Sequence, residues 1–516
     1  QSEIILSGEK AYLVTDDFMH IMSCNHAAKV CLDDILGGAA DGLDGSRPCS
    51  WLPFLLGSEL GHAENRVQTR VIRDYIFKIY TYDQRYSNGI VDRYHWITIA
   101  RAEQPAALWP SFLWLTLFQV LTCLQLMVAA GANLSPMLPL TFLGLTLVMW
   151  LYYAALRLTG TVGFEMETIA FFLSTLSLSV TASSAPASLP KQFFAVLLGL
   201  ALFLTLGIFL RDLERVKKLR WLMAAGAIGL LGITLVLGQR KYGATNWISL
   251  GGMSFQPSEI AKICYIYAGS ATLERLFHRR NLTLFMVLTG GCIGLLALMS
   301  DFGTAAIFFV TFLIIAFLRS GNFATIALAC AGTGFAGVLA LQFKPYAMKR
   351  FSAWGHVWEN AATTGYSQTR ALMCIASGGL FGLGAGKGWL HHVGAADTDL
   401  VFALVSEEWG LLLAVLCVAA IVILAAFVVR SLPQGRSCFY AIGAASAVTI
   451  YVVQAMLNVF GTTDILPLTG VTFPFVSNGG SSMICVWGLL AFIKAADTRQ
   501  NASFAIRLPG RKEAAA

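Results

Sequence analysis

The stretch from Asp399 to Arg430, DLVFALVSEEWGLLLAVLCVAAIVILAAFVVR, decides the fold class of this chain. Residues 400–429 form an apolar run, and about 20 apolar residues are enough for a helix to cross a bilayer. Glu407 and Glu408 interrupt the run. Charged groups at membrane depth are costly, so they usually mark a functional site or pair with one another. The stretch therefore predicts a transmembrane helix whose acids face a cavity or buried partners.

The composition of the chain agrees with a membrane protein. Of the 516 residues, 56% are hydrophobic and only 13% are charged, whereas soluble domains average about 25% charged residues. The net charge of +7 does not indicate nucleic-acid binding, because the basic residues fall in short clusters between apolar runs. The 11 cysteines show no paired or metal-type spacing, so we interpret most of them as small apolar packing residues.

Apolar runs of membrane length follow one another from Leu108 onward. About twelve spans are predicted, at 108–130, 137–156, 166–184, 192–211, 221–238, 256–273, 283–300, 303–318, 323–342, 400–429, 439–460 and 480–495. Lipid cannot satisfy backbone polar groups, so spans of this kind must be helices. The predicted fold class is an all-α polytopic membrane protein.

Basic clusters predict how the chain is oriented. They lie at 211–220, 275–280, 430–436 and in the tail after Lys494, which is one side of the membrane under the twelve-span count. The positive-inside rule makes that side cytoplasmic, together with both termini. Residues 343–399 then form a long loop on the outer face, which we interpret as an ordered extracellular cap, since loops of this length are usually functional or disordered.

The first 105 residues are polar and contain no run of membrane length. Tyr12 to Asn25 is strand-like, and Tyr75 to Arg101 suggests two strands with a turn at Ser87–Gly89. We predict a small α/β domain on the cytoplasmic side. The segment AYLVTDDFMHIMSCNHAAKVCLDDIL, Ala11–Leu36, loosely resembles the opening of a PAS domain; the alternative is an α/β module of no assigned type.

Two groups stand out by charge and position alone. Glu259 and Lys262 are three residues apart on one helix face, where they suggest an internal ion pair that fixes helix packing. Asp301 lies between two apolar runs and fits a helix cap or part of a polar cavity equally well.

Asp397, Thr398 and Asp399 are all capping residue types, so physical chemistry by itself favours a cap for the helix that follows them.

Four segments, in this order, resemble signatures of the SEDS family of FtsW, RodA and SpoVE proteins. They are YGATNWISLGGMSFQPSEIAK (Tyr242–Lys262), SDFGTA (Ser300–Ala305), the stretch from Gly365 to Gly410 that contains SGGLFGLGAGKG and DTDLVFALVSEEWG, and LPLTGVTFPFVSNGGSS (Leu466–Ser482). The resemblance implies a ten-helix core at 161–497, preceded by two additional transmembrane helices within 106–160 and followed by a cytoplasmic tail at 498–516.

The resemblance also implies a function. SEDS proteins are peptidoglycan glycosyltransferases, which polymerise lipid II into glycan strands at the outer face of the bacterial cytoplasmic membrane and release undecaprenyl diphosphate. Asp399 matches the aspartate that the family requires for glycosyl transfer, where it would act as the general base of an inverting reaction. The implied partners are a separate class B penicillin-binding protein and other membrane proteins of the divisome or elongasome, and no nucleic acid is expected.

Further site residues follow from the same resemblance and from their chemistry. Those expected to bind substrate are Lys349, Arg350, Arg370, Trp247, Gln256, Glu259, Lys262, Glu408, Ser481 and Ser482. The diphosphate leaving group needs positive charge nearby, so a divalent cation, Mg or Mn, is considered, although no metal-ligand spacing is present. Departures from the family pattern occur at Thr245–Asn246, Ser367, Gly394–Ala395 and Asn478.

Two other functions stay open at this point. A flippase for the lipid-linked precursor would suit a cavity lined by Glu259, Lys262 and Glu407, although a flippase does not need a carboxylate at position 399. An inactive scaffold or sensor, in which the N-terminal domain relays a cytoplasmic signal, would suit the departures near residues 245, 367 and 395.

Overall fold

The computed structural model describes residues 11–37, 47–52, 67–72, 75–85, 91–101, 108–210, 213–241, 244–250, 253–273, 279–320, 327, 330, 348, 351–432, 438–497 and 499. The chain divides into two compact units, one of residues 1–106, 433–437 and 497–516 and one of residues 107–432 and 438–496.

The N-terminal unit is built on a five-stranded antiparallel sheet. Its strands are β1 (Ala11–Asp16), β2 (Ile21–Cys24), β3 (Val67–Ile72), β4 (Tyr75–Arg85) and β5 (Val91–Arg101), in the order β2-β1-β5-β4-β3. One helix, α1 (His26–Leu36), packs on β1 and β5. The predicted strands at 12–25 and 75–101 are thus confirmed, whereas the predicted turn at 87–89 lies outside the described residues.

Asn25 explains why a helix follows the first hairpin. Its side-chain oxygen accepts hydrogen bonds from the backbone N–H of Ala28, at 2.9 Å, and of Tyr12, at 3.0 Å. The first bond caps α1, and the second ties the start of that helix to β1. Alternation along β1 turns Leu13 inward, and Leu13, Leu32 and Phe77 share one buried apolar cluster. The strand–turn–strand–helix order that prompted the PAS comparison is therefore present.

The larger unit is helical. Its helices are α2 (Trp109–Ala130), α3 (Met137–Leu158), α4 (Glu165–Ser184), α5 (Leu189–Phe209), α6 (Leu213–Leu237), α7 (Pro257–Leu273), α8 (Arg279–Leu298), α9 (Phe302–Ser320), α10 (Tyr366–Gly378), α11 (Val401–Glu408), α12 (Leu411–Ser431), α13 (Cys438–Thr462) and α14 (Gly480–Ala496). Seven described helices are long and apolar enough to cross a membrane, and three shorter apolar helices accompany them. The chain is thus a multi-pass membrane protein, as predicted; the span predicted at 323–342 lies outside the described residues.

The span predicted at 400–429 is wrong as a single helix. The structure breaks it at Trp409–Gly410, between α11 and α12, and Gly410 has a φ of 94°. The chain after the break is held by a neighbouring segment, because the N–H of Leu411 donates to the carbonyl of Gly379 at 2.9 Å. Hydropathy averaged over the run does not detect this break, because residues 400–429 are apolar apart from a few positions such as Glu407 and Glu408.

A small three-stranded sheet lies between α6 and α7 and was not predicted. Its strands are β6 (Gln239–Lys241), β7 (Ala244–Leu250) and β8 (Met253–Phe255), paired antiparallel in that order. It ends where Pro257 begins α7, and proline suits the first turn of a helix because its missing N–H would have no partner there. The sheet brings Trp247 and Gln256 to the same end of the helical unit.

The two additional helices, α2 and α3, are joined to the rest of the unit by buried polar contacts. Gln119 of α2 donates to Thr175 of α4 at 3.2 Å and accepts from Thr146 of α3 at 2.8 Å. Tyr152 of α3 donates to Glu167 at 2.9 Å. In an apolar surrounding such bonds fix how helices pair, because the groups have no alternative partner in lipid.

Candidate active site

One large cavity of about 930 Å³ lies in the helical unit. Its described lining brings together segments far apart in the sequence, from β7 and β8, from α7, α9 and α13, and from the turns that precede α9, α11 and α14. Among the predicted site residues, the lining includes Trp247, Gln256, Glu259, Lys262, Asp399, Ser481 and Ser482. All four sequence segments on which the family resemblance rests therefore contribute to the cavity. Predicted site residues come from three of them, and Asp301 comes from the fourth.

Asp399 lies in the turn before α11, half-buried at the cavity wall. It is not the helix cap that residue type alone favoured, because α11 begins at Val401 and Leu400 occupies the N-cap position. Residues from other parts of the chain donate hydrogen bonds to the backbone of the turn. Asn458 donates to the carbonyl of Asp399 at 3.0 Å, and the Ser477 hydroxyl donates to the carbonyl of Thr398 at 2.7 Å.

Asp397 is a second acidic residue of the same wall. Asn478 holds it at two points: the side-chain amide donates to its carboxylate at 2.6 Å, and the backbone N–H donates to its carbonyl at 2.9 Å. Three successive carbonyls, of residues 397, 398 and 399, thus each accept a hydrogen bond from α13 or from the turn before α14. This arrangement fixes the position of Asp399 from its backbone.

Asp301 has both of the roles that the sequence left open, a helix cap and part of a polar cavity. One carboxylate oxygen accepts from the N–H of Thr304 at 3.1 Å, as an N-cap of α9 does. The other accepts from the Asn246 side chain at 2.9 Å. Asp301 also lines the cavity, so it is a helix cap and a wall residue at once.

Glu259 and Lys262 form the predicted ion pair, with 2.7 Å between the ammonium nitrogen and a carboxylate oxygen. Their exposed fractions are 4% and 1%. In a buried ion pair of this kind, each charged group needs the other, because either one alone would be buried without a compensating charge. Nearby, the backbone N–H of Gln256 donates to the Ser481 hydroxyl at 3.3 Å, and the hydroxyls of Thr472 and Ser482 are 2.8 Å apart. The serines of the Gly-Gly-Ser-Ser run thus join α14 to the cavity wall.

Comparisons with known proteins agree with this geometry. The sequence model of the FtsW/RodA/SpoVE family, described as "Cell cycle protein", matches residues 149–502. The chain belongs to the FtsW/RodA/SpoVE family. The family range contains every cavity residue named above, whereas α2 lies before it and α3 enters it only at residue 149.

Individual relatives have informative names. The chain is 33% identical over 293 residues to the probable peptidoglycan glycosyltransferase FtsW of Hahella chejuensis, covering 53% of this chain and 72% of the relative. It is 30% identical over 336 residues to the protein of the same name from Coxiella burnetii, with 60% and 90% covered. It is 28% identical over 324 residues to the peptidoglycan glycosyltransferase RodA of Mycobacterium tuberculosis, with 59% and 69% covered.

A solved structure shares the fold. A chain from a study of the structural coordination of polymerization and crosslinking by a peptidoglycan synthase complex aligns with a TM-score of 0.53 and 25% sequence identity. The alignment covers 64% of this chain and 95% of the solved one. The fold of the family region is therefore the fold of a protein from that complex.

Two departures from the family pattern acquire partners in the structure. Asn246 and Asn478 each donate to a carboxylate of the cavity wall, Asp301 and Asp397 respectively. Sequence reasoning noted both substitutions but missed Asp397 itself. The signal that could have found it is its spacing of two residues from Asp399 beside a newly introduced amide.

Two predicted binding residues are described away from the cavity lining. Glu408 accepts from the backbone N–H of Gly386 at 2.9 Å, and its neighbour Glu407 accepts from Trp389 at 2.8 Å. Arg370 lies 5.2 Å from the Tyr366 ring centre and 5.9 Å from that of Trp389. These acids hold a loop rather than line the cavity, which removes one of the three residues that suited a flippase. Lys349 and Arg350 lie outside the described residues.

The charge of the described lining is acidic. It comprises the carboxylates of Glu259, Asp301, Asp397 and Asp399 and one ammonium, that of Lys262. No group of three or more His, Cys, Asp or Glu suited to a metal ion occurs among the described residues.

Proposed function

We infer that this protein is a peptidoglycan glycosyltransferase that polymerises lipid II into glycan strands. The observation that carries the proposal is the common cavity. Asp399, Trp247 and the Glu259–Lys262 pair all line it, and all four residues were singled out by similarity to family motifs. The names of the relatives support the same activity.

In the proposed reaction Asp399 is the general base. Its carboxylate accepts the proton of an acceptor sugar hydroxyl as that oxygen attacks the anomeric carbon of the donor. The new glycosidic bond forms while the bond from the anomeric carbon to the lipid diphosphate breaks, and the diphosphate leaves with the electron pair. A single displacement of this kind inverts the configuration at the anomeric carbon. General-base catalysis of this type contributes about 10²- to 10⁴-fold to a rate.

The leaving group requires positive charge that the described lining does not offer, since Lys262 is already paired with Glu259. We propose that Lys349 and Arg350, which the sequence predicted for this role, supply it from the segment before α10. Arg370 is engaged with two aromatic rings and is a weaker candidate.

The cellular setting is part of the proposal. Basic clusters predict cytoplasmic termini, which puts Asp399 at the outer face of the bacterial cytoplasmic membrane, where lipid-linked precursors are polymerised. A class B penicillin-binding protein is the proposed partner, in keeping with the solved relative, which comes from a complex that couples polymerization to crosslinking. The N-terminal domain is proposed to be a PAS-like regulatory module.

The test is glycan-strand synthesis from lipid II by the purified full chain, with and without its transpeptidase, comparing the native protein with Asp399→Ala. We expect polymer from the native protein and none from the variant, with both proteins equally stable in detergent. Equal precursor translocation in liposomes by both proteins, without polymer from either, would instead favour the flippase hypothesis.

A further inference from the structure

Gln454 is the unusual residue of the cavity. It lies on α13, lines the cavity, and is 1% exposed. Neither the nitrogen nor the oxygen of its side-chain amide has a hydrogen-bond partner among the described residues. Buried polar groups in folded proteins are nearly always paired, so an amide left without partners calls for an explanation.

The residue one helical turn later provides the contrast. Asn458 is equally buried at 1% exposure, but its side-chain nitrogen donates to the carbonyl of Asp399 at 3.0 Å and to that of Val471 at 2.9 Å. Two side-chain amides on the same face of α13 therefore differ in what they bind. The side-chain N–H donors of Asn458 bind carbonyls of the protein, whereas the nitrogen and the oxygen of the Gln454 amide are both available to a ligand in the cavity.

The chemistry of the cavity narrows what that ligand group is. A carboxamide offers N–H donors and a C=O acceptor, so the Gln454 oxygen can accept a hydrogen bond from the N–H of another amide. The described wall carries four carboxylates and one ammonium, so it favours uncharged groups that donate hydrogen bonds. An N-acetyl group on a sugar meets both conditions.

We propose that Gln454 is a substrate-binding residue that recognises the acetamido group of an N-acetylated sugar, with the Gln454 side-chain oxygen accepting a hydrogen bond from the acetamido N–H. This rests on the proposed function, whose lipid-linked substrate carries such sugars, and it adds the residue that reads them. Gln454 makes no bond to the backbone of Asp399, so its contribution is to affinity for the substrate rather than to the chemical step.

The decisive variant is Gln454→Met, which keeps the length of the side chain and removes the amide. Binding of fluorescently labelled lipid II to the purified full chain gives the dissociation constant independently of turnover. We expect affinity to fall about tenfold, because the substrate amide loses its hydrogen bond, while thermal stability without lipid is unchanged or higher, since a buried unpaired amide has been removed. The matched variant Asn458→Leu is expected to lower thermal stability.

A substrate analogue identifies the recognised group. When the sugar acetamido N–H is replaced by oxygen, as an acetate ester, the native protein should bind about tenfold more weakly, and Gln454→Met should bind both forms alike. Unchanged affinity in Gln454→Met would mean that the substrate does not bind this amide and would overturn the proposal. So would equal binding of both analogues by the native protein. Binding that depends on Gln454 without polymerisation would refute the proposed function alone.

Discussion

The turn that carries Asp399 is positioned through its backbone carbonyls. Asn458 and Ser477 donate to the carbonyls of Asp399 and Thr398, and Asn478 holds Asp397 at two points. A general base must lie within hydrogen-bond reach of the proton that it removes. Groups that fix the turn therefore contribute to turnover without touching the substrate.

Asn478→Ala is expected to lower kcat several-fold with little change in KM, because the side-chain bond to Asp397 is lost while the backbone bond remains. Asn478→Asp should lower kcat further, since it sets a carboxylate 2.6 Å from that of Asp397. Steady-state polymerisation kinetics check both, with the surface variant Asn360→Ala as a control. Equal kcat in the Ala and Asp variants would show that the pair has no role in positioning.

The Glu259–Lys262 pair gives a stability prediction. Glu259→Gln or Lys262→Met alone should lower the free energy of unfolding by about 3–5 kcal/mol, because each leaves a buried group without its partner. The double variant Glu259→Leu/Lys262→Met should recover most of that loss. Thermal denaturation in detergent measures the three variants. A double variant less stable than both single ones would contradict this account of the pair.

Residue patterns in the sequence predicted which groups form the site, but they predicted less well which hydrogen bonds hold those groups in place. Motif residues such as Trp247, Gln256 and Asp399 do share one cavity. The partners of the turn carbonyls could not be predicted, because Asn458 and Ser477 lie about 60 and 80 residues further along the chain. Glu408 was predicted to bind substrate; in the structure one of its carboxylate oxygens accepts from the N–H of Gly386, and Glu408 is not among the described residues that line the cavity.

At the scale of elements, α10 and α11 approach each other through glycine. A Cβ atom on Gly378 would lie 2.1 Å from the carbonyl oxygen of Ser406, so no larger residue fits without moving one helix. The next residues continue the contact, since the N–H groups of Leu383 and Gly384 donate to the carbonyls of Glu407 and Glu408. These bonds satisfy the end of α11, the helix that starts just after Asp399.

Gly378→Ala is therefore expected to destabilise the protein by about 1–3 kcal/mol, the usual cost of overpacking, and to reduce polymerisation through displacement of α11. Gly394→Ala is the matched control, because a Cβ atom there meets nothing within 4 Å. Thermal denaturation and initial rates of both variants check the prediction. A native-like melting temperature for Gly378→Ala would show that the two helices separate at no cost.

The sequence predicted most long helices within a few residues because their apolar runs match the bilayer thickness. It failed where tertiary contacts override hydropathy. The break at Gly410 depends on bonds to the 379–380 segment, and β6 and β8, with three residues each, are too short for a residue pattern to indicate them.

At the scale of the whole molecule, the chain combines two units with different cores. The N-terminal unit has its own apolar cluster between the sheet and α1, and every described residue that lines the cavity belongs to the helical unit. A regulatory module of this kind should therefore be separable from the proposed polymerase.

Removal of residues 1–105 is expected to leave a membrane protein that polymerises lipid II within a few-fold of the full chain, because no lining residue is lost. Polymerisation of the shortened and full proteins at equal concentration tests this. A shortened protein that is stable in detergent but inactive would show that the N-terminal unit is required for catalysis rather than for its regulation.

The central claim is that Asp399 performs the chemistry inside a cavity that binds the substrate through other groups. The most direct measurement compares lipid II affinity and single-turnover polymerisation in the native protein and in Asp399→Asn, which keeps the shape of the side chain and removes its basicity. The account predicts near-native affinity with a rate at least about 10²-fold lower. Near-native polymerisation by the Asn variant would contradict it.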